Sequence, residues 1–170
     1  MSQSKDVASD AVLERVIREH GAVIARVARG YADNAHDADD LMQEIWTALW
    51  RALPGFRGEA SERTFVLRVA HNRGISFAVA RRRFASLGEA AEISDPAPIA
   101  ESRVISAERR DRLFDAIRRL PDTQREAVML QLEGLSQREI AQLQGTSESN
   151  AGVRLTRARK ALRALLVEDE

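Results

Sequence analysis

The chain has 170 residues, and its 26 basic and 26 acidic side chains cancel to no formal net charge. It has no cysteine, which excludes disulfides, thiolate metal sites and a cysteine nucleophile. His20, His36 and His71 are too scattered for a zinc-site spacing, and overall neutrality argues against a simple nucleic-acid binder, which usually reads basic. No apolar run approaches the ~18–20 residues of a membrane helix, so no direct membrane insertion is expected. The polar start, Met1 to Asp10, has no signal-peptide pattern, and a soluble cytoplasmic protein is expected. The chain ends soon after its last helical pattern, so no appended sensor domain is expected.

Leu13, Ile17, His20, Ile24, Val27 and Tyr31 recur at helical spacing and predict a first helix with that face inward. After a break at Ala32–Ala35, Asp37 is placed to cap a second helix, which Pro54-Gly55 stops after about Leu53. Leu41, Ile45, Ala48, Leu49 and Ala52 form its expected buried stripe. Ser61, with Arg63 and Thr64, opens a third helix that continues to about Arg83. The stretch from Phe84 to Ser106 holds Gly88, Pro96 and Pro98 and lacks helical periodicity, so it reads as a linker. A fourth helix is predicted over Ala107–Arg119, with Leu113, Phe114 and Ile117 inward and Pro121 ending it. Thr123 and Glu126 form a capping-box pattern for the next, with Val128 and Leu132 inward and Gly134 closing it. Ser136 and Glu139 form a second capping box, Gly145 closes that short helix, and Ser147 caps a last one to about Leu166. Strand-like alternation is absent. The expected fold class is all-α: two small helical domains, residues 10–84 and 107–167, joined by a flexible acidic linker, 85–106.

The zero net charge hides a pattern. Residues 84–111 carry 3 basic and 6 acidic side chains. Leu67 to Arg83 has five arginines and no acid, and Thr146 to Leu166 has five basic residues against Glu148 alone. Ser136 to Arg159 has the form of a helix-turn-helix: Ala141 is small where two helices cross, and Gly145 stands where the turn needs positive φ. On its second helix Ala151, Leu155, Ala158, Leu162 and Leu165 share one stripe. Ser149, Val153, Thr156, Arg157 and Lys160 face away, flanked by Asn150 and Arg154. Amide, hydroxyl, methyl and guanidinium groups together suit major-groove edges and phosphates. A plain helical hairpin with a solvated basic face is the other reading. Gln144 departs from the apolar residue that a helix-turn-helix often has there.

Asp37 to Trp46 reads DADDLMQEIW. Asp40, Gln43, Glu44 and Thr47 share the face opposite the core stripe, which is either a solvated acidic face or a docking surface for a basic partner. No further ligands or pocket accompany these acids, so neither a metal nor a general acid–base pair is expected. Met42, Trp46 and Trp50 repeat beside them and read first as core. On the third helix Arg68, Asn72, Ser76 and Arg83 form one stripe opposite Val66, Ala70 and Phe77, with Arg73 between. Aromatics interleaved with arginines suit melted DNA, where bases stack and cations track the backbone; a core of aromatics under a solvated basic face fits equally.

Taken together, these segments resemble a bacterial extracytoplasmic-function (ECF) RNA polymerase sigma factor, from about Leu13 to Leu166. DADDLMQEIW resembles the family's core-polymerase-binding helix, and Phe65 to Arg73, FVLRVAHNR, its promoter-melting helix. Leu120-Pro121, Arg125-Glu126-Ala127, Glu133 to Ser136, Glu139 to Ala141 and Arg154 to Arg159 resemble its −35-reading domain. The resemblance implies that Asp37, Asp40, Gln43, Glu44 and Thr47 contact core RNA polymerase. It implies −10 DNA contacts for Phe56, Arg57, Arg68, Asn72, Arg73, Arg81, Arg82 and Arg83, with the Phe56–Glu62 loop capturing a flipped base. It implies −35 contacts for Ser149, Asn150, Val153, Arg154, Arg157 and Lys160. Phe65 stands where the family usually has tryptophan, and Asn150-Ala151-Gly152-Val153 where the commoner pattern is Thr-Val-Lys-Ser.

The implied function is an alternative sigma factor, with core polymerase and promoter DNA as partners, an anti-sigma factor as a further partner, and no cofactor or catalysis of its own. The linker acids Glu89, Glu92, Asp95 and Glu101 are expected to thread a basic polymerase channel. Two other classes fit parts of the pattern: a helix-turn-helix regulator that acts without polymerase, and a helical protein that binds polymerase but not promoters.

Overall fold

The computed structural model of the chain describes the backbone of residues 3–86 and 101–168, and the side chains of residues 11–86 and 107–167. Most of the expected linker, residues 87–100 with Glu89, Glu92 and Asp95, lies outside the described residues. Among these, every regular element is a helix, and none is long and apolar enough to cross a membrane. The chain divides into two compact units, Met1–Ser86 and Leu87–Glu170.

The first unit holds α1 (Gln3–Tyr31), α2 (Ala35–Ala52), a 3-10 turn (Leu53–Gly55) and α3 (Glu62–Ser86). Each helix packs on the other two. Val16, Ile24, Val27, Leu41, Ile45, Leu49, Val66 and Leu67 are fully buried, each such aliphatic side chain contributing ~1.5–3 kcal/mol. Val16 takes the inward place expected of Ile17, which is 40% exposed, because Val16 lies in line with His20 and Ile24 at four-residue steps.

Two features fix how the three helices meet. The first is Gly74: a Cβ there would lie 2.4 Å from the Tyr31 ring. Lacking one, α3 lets Tyr31 lie against it and bond His71 Nδ1 through its hydroxyl, at 2.9 Å. His71 is 2% exposed; burial drives its pKa down to about 3, so the ring is neutral. The second is the start of α2. Asn34, not Asp37, is the cap: the Asp37 N–H donates to Asn34 Oδ1 at 2.9 Å. The Asp37 side chain turns inward instead, 6% exposed, where Arg81 Nη1 donates to it at 3.0 Å.

The second unit holds α4 (Glu101–Arg118), α5 (Asp122–Leu132), α6 (Gln137–Leu143) and α7 (Glu148–Glu168). The fourth helix thus begins at Glu101 rather than Ala107, inside the expected linker. Phe114, Ile117, Leu130, Ile140, Ala151, Leu155 and Ala158 form the core. Buried Arg125 donates to the carbonyls of Arg118 and Leu120, satisfying acceptors that the end of α4 leaves open. The expected Thr123–Glu126 capping box does not form, for α5 begins at Asp122 with Pro121 as a cap without a side-chain bond. Leu132, expected inward, is 56% exposed. Gly134, at φ +82°, turns the chain there, and the Leu135 N–H closes back on the Leu130 carbonyl at 3.2 Å. Leu135 therefore takes the buried place, as in a Schellman closure.

Candidate functional site

Three exposed surfaces collect the charged residues that the sequence singles out. The first is a groove of about 900 Å³ between α2 and α3, lined by Asp40, Gln43, Glu44, Thr47, Arg51, Arg73 and Phe77 among others. Asp40, Gln43, Glu44 and Thr47 are all exposed. The Thr47 hydroxyl donates to the Gln43 carbonyl at 2.9 Å, and Arg73 approaches Glu44 across the groove at 3.8 Å. Asp37 does not belong to this face. It lies beneath it with Arg81, whose Nη2 is 2.7 Å from its carboxylate. Met42 and Trp46 are half-buried and Trp50 is 42% exposed, so this stripe skirts the core rather than filling it.

The second surface is a pocket of about 280 Å³ formed by Gly55, Phe56, Arg57, Glu59, Ala60, Phe65 and Arg68. Pro54 in the 3-10 turn and Gly58, at φ +75°, fold the loop back on itself. The Phe56 and Phe65 rings meet at 4.7 Å, tilted by 35°. Ser61 caps α3, its Oγ accepting from the Thr64 N–H at 3.0 Å. Directly behind the loop, Arg15 of α1 donates to both carboxylate oxygens of Glu62, and His20 Nε2 lies 3.1 Å from one of them. Arg15 and then His20 hold the Glu62 carboxyl below its ordinary range. Glu19, His20 and Glu62 bring their ligand atoms within 4.8 Å of one another. Because Arg15 already engages both Glu62 oxygens, that charge is met without an ion. Arg68, Asn72, Arg73, Arg82 and Arg83 are exposed along α3. Arg81 is not: Asp37 and Asp33 hold it.

The third surface is the helix-turn-helix. The Ser136–Glu139 capping box forms in full. Gly145 adopts φ +60°, and the Thr146 N–H returns to the Ala141 carbonyl at 3.0 Å. Ser147 accepts from the Asn150 N–H at the start of α7. Ser149, Asn150, Val153, Arg157 and Lys160 are exposed, and Arg157 and Lys160 show no acidic partner among the described residues. A shallow groove of about 490 Å³, lined by Gln137, Ser149, Gly152, Val153, Thr156 and Arg157 among others, runs beside them. Arg154 departs from the expected set in being half-buried, with its Nη1 donating to Gln144 Oε1 at 3.0 Å.

Gln144 is the residue that motif reasoning left unexplained. Its amide donates at 2.9 Å to both the Thr123 carbonyl and Glu126, while its oxygen accepts from Arg154. One side chain thereby ties α5 to α7 at the turn. Burial pushes the Glu126 carboxyl above its ordinary range, although the Gln144 bond and Arg154 oppose this. The signal in the sequence was polarity at a position that is usually apolar.

A charged groove beside α2, an aromatic pocket flanked by arginines and a helix-turn-helix with an exposed basic face, all on an all-helical chain, are the features to set against known proteins. The chain matches Sigma-70 region 2 over residues 16–90 and Sigma-70, region 4 over residues 110–162. It is 33% identical over 162 residues to the ECF RNA polymerase sigma-E factor of Escherichia coli K12, covering 86% of this chain and 82% of that one. It is 29% identical over 162 residues to the RNA polymerase sigma factor NccH of Alcaligenes xylosoxydans xylosoxydans, covering 89% and 85%. CnrH, solved in complex with the cytosolic domain of CnrY, shares the fold with a TM-score of 0.67 at 25% identity, over 95% of this chain and 91% of that one. The sigma factor RpoE of Bartonella quintana, solved with the anti-sigma factor NepR, gives a TM-score of 0.66 at 21% identity, over 92% and 99%. The chain belongs to the ECF RNA polymerase sigma factors. It is an alternative sigma factor, which binds core RNA polymerase and directs promoter-specific initiation of transcription.

Proposed function

We propose that the surfaces described above divide this work between the two units. Asp40, Gln43, Glu44 and Thr47 dock on core polymerase, with Asp37 acting below them as the counter-charge of Arg81. The Phe56–Glu62 loop receives an unpaired base of the −10 element, stacked against the aromatics, while Arg57 and Arg68 meet the adjoining phosphates. Extracting a base costs a few kcal/mol, which a fitted pocket offsets. Asn72, Arg73, Arg82 and Arg83 continue this −10 surface along α3. Ser149, Asn150, Val153, Arg157 and Lys160 read the −35 element, with Val153 suited to a thymine methyl. Arg154 holds the frame of the turn through Gln144.

The observation that carries this assignment is the segregation of exposed charge. Acids and amides collect on α2, whereas α3 and α7 expose arginines. The protein performs no catalysis, acts in the cytoplasm beside polymerase, and is held in check by an anti-sigma protein, as the partners of CnrH and RpoE suggest by analogy. Run-off transcription with core polymerase on genomic fragments, with start sites mapped, tests the assignment. Discrete start sites that share a −10 and a −35 element are expected; core polymerase that starts identically with and without the protein would refute it.

A further inference from the structure

Gly152 lies in the second turn of α7, inside the helix, where a glycine costs helical stability. A Cβ built there would stand 2.7 Å from Nε2 and 3.2 Å from Oε1 of Gln137. The missing side chain therefore makes room for an amide from α6. That amide is fixed: Gln137 Nε2 donates to the Glu148 carbonyl, in the first turn of α7, at 2.8 Å. The side chain itself is exposed, and it borders the groove with Ser149, Val153 and Arg157. A carboxamide nitrogen carries two donors. One holds α7, and the other remains for something outside the protein.

Location selects the acceptor. In a helix-turn-helix the second helix enters the major groove while the first crosses the sugar–phosphate backbone. Gln137 is on that first helix, and a phosphate oxygen accepts its hydrogen bond without discriminating bases. We infer that Gln137, seated over Gly152, is a phosphate contact that fixes the register of α7 on the −35 element, in place of a side chain at 152. The inference rests on the assignment of α7 as the −35 reader. Gln137 and Gly152 form one device: any side chain at 152 displaces the amide, and the amide is the far end of a flexible side chain, so it moves rather than the helix.

The test uses holoenzyme reconstituted from core polymerase and the full chain. Promoter affinity is measured against salt, on the preferred −35 element and on its single-base variants. Gln137→Ala is expected to weaken binding about threefold to tenfold, equally on all variants and without altering the slope of log affinity against log salt, because the donor is neutral. Gly152→Ala, which favours the helix, is expected to give the same loss, and the double variant no more. Gly152→Lys is expected to recover affinity while steepening the salt slope by about 0.9, one phosphate's worth. An unchanged affinity for Gln137→Ala, a preference altered at one base position, or additive losses in the double variant would each overturn the inference. Arg157→Ala serves as the control. A loss with Arg157→Ala but none with Gln137→Ala overturns this inference alone; no loss with either also overturns the −35 assignment beneath it.

Discussion

The two units build their proposed DNA-facing surfaces in different ways. In α1–α3 three cations near the proposed site are engaged by acids, Arg15 by Glu62, Arg81 by Asp37 and, more loosely, Arg73 by Glu44, while Arg57, Arg68 and Arg83 stay exposed. In α4–α7 the reading face is bare, for Arg157 and Lys160 have no acidic partner among the described residues, and the ordering bonds lie behind it, through Gln144, Arg154 and Glu126. On the proposed assignment the first unit has two macromolecules to meet, and its ion pairs tie α3 to the start and middle of α2. On the same assignment the second presents one face of α7 to DNA. The same division explains how a neutral chain engages DNA: its basicity is local, and polymerase carries the rest of the grip.

The contrast predicts that the units fail separately. The largest effect is expected at Gly74. Gly74→Leu drives a side chain into the Tyr31 ring and should destabilise α1–α3 by about 3 kcal/mol, while α4–α7 is spared. Hydrogen exchange followed on peptides of each unit in the full chain checks this, and equal loss in both would contradict it.

Acid should separate them next, with opposite signs. His71 titrates near 3 when folded, against an ordinary value of 6.5. The unfolded chain therefore binds the proton first, and its contribution, complete above about pH 6.5, is lost as pH falls toward 3. At pH 5 the loss is about 2 kcal/mol. Combining His71→Leu with Tyr31→Phe should flatten this slope in thermal unfolding. The raised Glu126 carboxyl works the other way: its contribution is full at low pH and fades as pH rises through its ordinary range and beyond. Acidification therefore weakens α1–α3 while favouring α4–α7, and a shared pH profile would break the comparison.

Two smaller effects sharpen it. Gln144→Ala removes donors from the Thr123 carbonyl and from buried Glu126, and should cost α4–α7 about 1–2 kcal/mol, read as its unfolding midpoint. Glu44→Ala releases Arg73, but that pair is about half exposed on both sides. Its stability effect should stay below ~1 kcal/mol, and a larger shift in the α1–α3 midpoint would show the pair to be structural.

Much of the fold was legible because local chemistry and tertiary packing agree in it. Ser61, Ser136, Gly145 and Ser147 act where the sequence places them, since each satisfies groups within a few residues. The misreadings occur where a distant partner won. Glu126 has the spacing of a cap acid, yet Gln144, eighteen positions on in the chain, takes its carboxylate. Asp37 has the look of a cap and of a surface acid, yet Asn34 caps and Arg81 draws it inward. On α3 a two-sided helical wheel missed Leu67, His71 and Gly74, because α3 packs against both α1 and α2 and is buried over a wider arc. The candidate surfaces were legible as charge patterns, but not the sorting of free from committed arginines, which depends on contacts of long sequence separation.

The central claim is that the α2 groove and the α7 face serve different macromolecules. It is tested most directly by measuring core-polymerase capture and −35 affinity side by side for Asp40→Arg and Arg157→Ala. Asp40 is exposed and its neighbour His36 lies 3.6 Å away on the same helix, so reversing its charge leaves the fold intact. Asp40→Arg should weaken polymerase capture at least about tenfold and leave the affinity of the chain's α7 face for −35 DNA unchanged. Arg157→Ala should lower discrimination at one −35 position by about 1–3 kcal/mol and leave capture unchanged. Loss of both activities in either variant, with folding intact, would contradict the account.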